Sequence, residues 1–216
     1  MTGTCAGQRE ADSASGAGEL DIETIQILEL RHRIKNLLGI VQAVANQTLR
    51  SGRSVEESRN ALDGRLAAMG KAVDMLLHTG WTEADLKTLI GRALVQVGRP
   101  VDVAGPALRV GADAAMALTL IFHELESNSI KYGALASDGG SVAIHWSLAP
   151  GAGGEWLNLQ WSERDGPPCV IPTHQGFGSR MISKLLGGRF GATAETEYRA
   201  DGLKWRLSAP LARLAH

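Results

Sequence analysis

Cysteine is scarce: two occur in 216 residues, Cys5 and Cys169. They give neither a metal-ligand spacing nor a disulfide framework, and a reducing cytoplasm is the simple expectation. No apolar run approaches the roughly 20 residues that cross a bilayer. The first residues lack the charged-then-apolar pattern of a secretion signal. An excess of one charge is also missing. Lys and Arg number 22 against 23 Asp and Glu, for a formal net charge of -1, which argues against a general nucleic-acid or membrane surface. No internal repeat is visible. What remains is a chain expected to be soluble and cytoplasmic, long enough for one large domain or two small ones with a real core.

Met1 to about Gly18 is rich in Gly, Ala, Ser and Thr without an apolar period, and reads as a flexible tail. From Leu20 to about Arg50 apolar residues fall near helical spacing at Ile25, Leu28, Ile34, Leu37, Val41, Val44 and Thr48. Ser51-Gly52-Arg53-Ser54 breaks this helix, and Ser54 with Glu56 and Glu57 is a good start for the next. Its apolar period runs through Val55, Leu62, Leu66, Met69, Val73 and Leu76. Two long helices with a short polar turn predict an antiparallel hairpin. A second copy would cover its apolar stripe, so a homodimeric four-helix bundle is expected.

The texture then changes. After a linker at Trp81 a shorter helix is expected over Glu83 to Val97, and short strands over Val101 to Val103 and Leu108 to Val110. Asp113 to Tyr132 reads as a strong helix. Val142 to Leu148 and Trp156 to Trp161 read as strands, Phe177 to Leu186 as a helix, and Thr193 to Tyr198 with Leu203 to Ser208 as a closing hairpin. This order predicts an α+β sandwich behind the helical hairpin. Domain bounds follow at 1–18, 19–80 and 81–216.

Chemistry enters with His32, which stands three residues after Glu29 and four before Asn36, so all three share a helix face. A carboxylate, an imidazole and an amide in that order can orient a ring nitrogen for attack on phosphate. A solvated face with a chance histidine explains the local pattern equally well. Arg31, Arg33 and Lys35 make a small basic patch suited to an anion or an acidic partner.

Three later segments combine into a nucleotide-binding picture. In Phe122-His123-Glu124-Leu125-Glu126-Ser127-Asn128-Ser129-Ile130-Lys131-Tyr132-Gly133, Glu124, Asn128 and Lys131 align on the helix. Carboxylate and amide oxygens suit Mg²⁺, and a lysine one turn on neutralises phosphate. Glu163 and Asp165 lie at a strand end, where an acid can accept from an exocyclic amine such as that of adenine. Gly176-Phe177-Gly178-Ser179-Arg180 opens a helix whose glycines and amide donors suit a phosphate. Each segment alone has an ordinary structural explanation; their order along one chain does not.

Together these residues resemble the HWE subfamily of sensor histidine kinases, within the wider GHKL group of ATP-binding proteins. Glu29 to Asn36 is similar to the family's phosphoacceptor box. His123 and the Trp161-x-Glu163 pair are the residues that name the subfamily. His123-Glu124-Leu125, Asn128 and Lys131 to Leu135 resemble its N box, and Gly176 to Arg180 its second glycine box. The resemblance implies a dimerisation and phosphotransfer hairpin followed by a GHKL-type α/β sandwich. It implies that His32, served by Glu29, Asn36 and Glu124, takes the γ-phosphoryl group of ATP. It implies Mg²⁺ on Asn128 with Glu124 in support, and ATP contacts from Asn128, Lys131, Tyr132, Gly166, Gly176 and Gly178. Glu163 takes the adenine contact. The phosphoryl group then passes to an aspartate of a response-regulator receiver domain. No sensor domain is expected in this length, so input comes from a separate sensor protein or from ATP itself.

Two residues depart from that pattern. Glu126 stands where the family has a small residue, and the expectation is an acid at the site's edge that weakens ATP binding by repulsion. Asp165 replaces a glycine, and either stiffens the loop or competes with Glu163 for adenine. Both leave room for two other readings: a histidine phosphotransfer adaptor with a decayed ATP site, and a non-catalytic binding module for which His32 is dispensable.

Overall fold

The computed structural model describes residues 7–49, 54–94, 101–168 and 187–215. The chain divides into two compact units, Met1–Gln47 and Thr48–His216. The expected helix at Phe177 to Leu186, the loop before it and the end of the Glu83 to Val97 helix lie outside the described residues.

Helix α1 runs Gly7–Leu49, a stretch without proline and therefore without a break in its hydrogen-bond ladder. It starts inside the segment expected to be a flexible tail. Helix α2, Val55–His78, begins where the sequence predicts. The Ser54 hydroxyl accepts from the Glu57 N–H at 3.2 Å, and the Ser54 N–H donates to the Glu57 carboxylate at 2.9 Å, a reciprocal capping box. The helix stops at Thr79, where Gly80 and Trp81 both turn left-handed with φ of 64°.

Strand β1 (Glu83–Asp85) pairs antiparallel with β3 (Arg109–Gly111). Helix α3 (Leu86–Ala93) therefore starts three residues later than the sequence suggests. The Glu83–Asp85 backbone is committed to β3, and the Asp85 carboxylate caps the helix by accepting from the Thr88 N–H at 2.8 Å. Helix α4 spans Ala112–Tyr132.

The main sheet has the order β2-β4-β5-β7-β6. Short β2 (Asp102–Ala104) runs parallel to β4. The long strands β4 (Ser141–Gly151), β5 (Gly154–Arg164), β7 (Gly202–Pro210) and β6 (Thr193–Arg199) pair antiparallel. Alternation buries Val142, Ile144 and Trp146 on β4, and Leu157, Leu159 and Trp161 on β5. Register sets Ile144, Trp161 and Trp205 side by side, so one face of the sheet carries the core. A last short helix, α5 (Leu211–Leu214), follows β7. The result is the expected α+β order, a helical region followed by a mixed α/β sheet domain.

Within the second unit α4 packs on α2 and α3. The buried face of α2 shares Met69 and Leu76 with the expected apolar stripe. It uses Ser58, Arg65, Ala68, Met69, Ala72, Met75 and Leu76, while Val55 and Leu66 are exposed. Small alanines let the helices approach closely, and that close approach, more than side-chain hydrophobicity, selects the buried stripe.

Candidate functional site

The second half of α4 carries three groups of residues on different sides. Asn128, Lys131 and Tyr132 are exposed where the sequence places a nucleotide. Glu124, one turn before Asn128, is only 6% exposed. Its two carboxylate oxygens accept from one guanidinium, Arg65 Nε at 2.7 Å and Nη2 at 2.9 Å. Arg65 itself is 2% exposed, and its Nη1 donates to the Thr48 hydroxyl at 3.0 Å. Both oxygens are thus turned to a cation, and each keeps a further lone pair. Asn128 keeps an exposed amide oxygen, and a small octahedral cation that retains several waters and bridges phosphates needs few protein donors. Among the described residues no group of three or more His, Cys, Asp or Glu is arranged for a metal.

On the side facing α2 and α3 lie His123 and Glu126. Burial lowers the His123 pKa, opposed by the nearby Glu124 charge and reinforced by Arg65, Lys71 and Lys131. The ring is backed by Gly64, where a Cβ would come within 3.1 Å of Nε2. A neutral, packed histidine fits a structural role. Glu126 is 3% exposed and lines a cavity of about 80 Å³ together with Lys71, Arg92, His123 and Thr119. Its Oε1 has no hydrogen-bond partner among the described residues. Burial pushes the carboxyl up to about 7, with Lys71 pulling the other way. The expectation of an acid repelling ATP at the site's edge is thereby corrected. Glu126 sits two residues from Asn128, about 200° around the helix, and points among α2 and α3.

The third group is a strap at the end of α4. Glu163 on β5 is 5% exposed. One of its oxygens accepts from the Ala134 N–H at 2.8 Å and the other from the Trp161 indole N–H at 3.0 Å. The Trp-x-Glu pair thus fastens β5 to the turn at Gly133 and Ala134. Alternation accounts for it, since residues two apart on a strand share a face. A Cβ at Gly133 would fall 2.0 Å from Glu163 Oε2, and one at Gly166 would fall 2.6 Å from Ala134 Cα. Both glycines are required by close approach of backbone and carboxylate. Asp165 is exposed with φ of 58° and does not share the buried position of Glu163. Gly133→Ala is expected to cost about 1–3 kcal/mol by overpacking, measured by denaturant unfolding. A variant as stable as wild type would show that the strap is dispensable.

On α1, His32 and Glu29 are exposed and Asn36 is half-buried. Glu29 pairs with Arg33, one turn on. Gly176 and Gly178 lie outside the described residues. Sequence reasoning missed Arg65, and it placed Gly133 in the N-box stretch without giving it a role. The signal for Arg65 was a charged residue set among Ala61, Gly64, Ala68 and Ala72, small neighbours that leave room for a long side chain.

The helical region, the mixed sheet and the α4 motif are those of a histidine kinase core with a GHKL-type domain. Residues 29–107 match the family model of the HWE histidine kinase. Blue-light-activated histidine kinases of Brucella ovis and Brucella anthropi are 34% and 33% identical over 187 residues. The alignment covers 85% of this chain and 38% of each relative, so the chain spans well under half of their length. Among solved structures, the blue-light activated histidine kinase of Erythrobacter litoralis EL346 has a TM-score of 0.59 at 20% identity, covering 87% of this chain and 59% of that one. Its separate histidine kinase domain has a TM-score of 0.55 at 19% identity, covering 83% and 86%. At those identities the structures speak for the fold. The chain belongs with the HWE histidine kinases.

Proposed function

We propose that this chain is an ATP-dependent protein histidine kinase that phosphorylates itself on His32. Residues 19–80 act as the dimerisation and phosphotransfer region and 81–216 as the ATP-binding domain. The carrying observation is that α4 exposes Asn128 and Lys131 on one face, just before a turn strapped to Glu163. Asn128 would hold Mg²⁺, which would supply charge neutralisation at the phosphates. Lys131 and Tyr132 would line the triphosphate, with Gly176 and Gly178 as the further phosphate contacts that the resemblance implies. Glu163 shapes the adenine end by fixing Ala134 and Trp161, and any contact with the base uses its remaining lone pairs.

The His32 ring nitrogen attacks the γ-phosphorus with its lone pair. The bond from that phosphorus to the β,γ-bridging oxygen breaks, ADP leaves, and the proton on the other ring nitrogen passes to a carboxylate. Glu29 pairs with Arg33 and Glu124 with Arg65, each carboxylate keeping lone pairs for that proton, and Glu124 is the acceptor we propose. Asn36 orients the ring. The N–P bond formed is a high-energy one, so onward transfer to a receiver-domain aspartate is downhill, and Arg31, Arg33 and Lys35 attract that acidic partner. Exposed Ile27, Leu28, Leu30, Ile34 and Leu38 on α1, with Val55 and Leu77 on α2, support a homodimer. No helix among the described residues is long and apolar enough to cross a membrane, which is in keeping with a cytoplasmic site of action. The position of Glu126 away from Asn128 removes the repulsion that favoured the adaptor reading.

Purified protein given Mg²⁺ and γ-labelled ATP should acquire acid-labile, base-stable label. His32→Ala and Asn128→Ala should each abolish it. Wild type that stays unlabelled yet accepts phosphate from a phosphorylated receiver would make it an adaptor instead.

A further inference from the structure

We infer that Arg65, on α2, is a positioning residue for phosphoryl transfer, acting through Glu124. This rests on the kinase reading above. The two residues are 59 apart in sequence, yet they meet in a buried two-point contact at 2.7 and 2.9 Å. A fork of two parallel N–H donors fixes both the place and the plane of a carboxylate, which a single point charge does not. Arg65 is fixed in turn by the Thr48 hydroxyl at 3.0 Å. Thr48 lies sixteen residues beyond His32 on the same helix, α1. The chain Thr48–Arg65–Glu124 thus ties α2 to α4 within the second unit in one hydrogen-bonded line.

Carboxylate oxygens have two lone pairs each, and the guanidinium takes one from each. The second pairs stay available for the proton released from the attacking imidazole. Arg65 never touches that proton. It sets the direction in which Glu124 presents itself, and it does so only while α2 and α4 keep their observed register. Nothing in ATP binding as such depends on this contact, since Asn128, Lys131 and Tyr132 lie beyond it on the exposed part of α4.

The test compares wild type, Arg65→Lys and Glu124→Gln in full-length protein, with label on His32 and ATP affinity by calorimetry measured side by side. Arg65→Lys keeps a charge and fills the site but loses the fork. It should lower the labelling rate roughly 10- to 100-fold, the scale of a misplaced reacting group, with ATP affinity within about twofold. Combining it with Glu124→Gln should add little to the loss from Glu124→Gln alone. A folded Arg65→Lys protein that labels at the wild-type rate, or faster, overturns the inference. So does a rate loss that only follows a loss of ATP binding. Wild type without label, by contrast, fails the kinase reading first and the role of Arg65 with it.

Discussion

Arg65→Met should destabilise the protein by about 3–5 kcal/mol, the largest stability loss expected from any single change discussed. The substitution leaves Glu124, 6% exposed, as a buried carboxylate without its cation, and an uncompensated buried charge is far more costly than the pair is stabilising. Glu124→Met should cost a similar amount by stranding the guanidinium beside Thr48. The double variant Arg65→Met/Glu124→Met should recover most of the loss, because two unbranched apolar chains of similar length fill the space and no charge remains. Chemical unfolding of all four proteins completes the cycle. If the double variant loses the sum of the two single losses, the pair is not coupled and the buried contact has been misread. This experiment is about stability alone. It leaves open whether the recovered double variant labels His32, and the positioning role predicts that it does not.

Glu126 should make stability depend on pH in the range where cells live. Its carboxyl is raised from 4.5 to about 7 by burial, so the folded state holds the proton more tightly than the unfolded chain does. The stabilisation tied to that proton is therefore complete below about pH 4.5 and is lost as pH rises through 7. A shift of this size corresponds to about 3 kcal/mol between the two limits. Glu126→Gln removes the titration. Its unfolding free energy should lack this slope, and at pH 8 it should exceed that of wild type by up to about 3 kcal/mol. Lys71, Arg92 and His123 also line the cavity, and of these Lys71 is the one that favours the charged form. Lys71→Met should accordingly steepen the loss at high pH. Parallel pH profiles for wild type and Glu126→Gln would show that the orphaned oxygen is solvated and that the carboxyl titrates like an exposed one.

Much of this was legible in the residues because the signals are local. The Ser54-x-x-Glu57 cap sets the start of α2 through bonds within one turn of chain. Alternation on β4 and β5 shows which side chains turn inward, and that alone puts Trp161 and Glu163 together on a buried face. The spacing of Asn128 and Lys131 is a property of the helix they sit on. Where the local signal was shared by two structures, the sequence misled. Glu83 to Asp85 looked like the first turn of a helix, but pairing with Arg109–Gly111 took its backbone.

The sequence by itself determined the order of the elements, through periodicity and capping along the chain, and the class of protein, through motifs that resemble those of a known family. Tertiary structure alone decided what the acids of α4 do. Glu124 and Glu126 are two residues apart on one helix, yet one meets a guanidinium from α2 and the other an unfilled cavity. Their difference arises from which neighbour stands opposite each face, and no pattern within α4 encodes that.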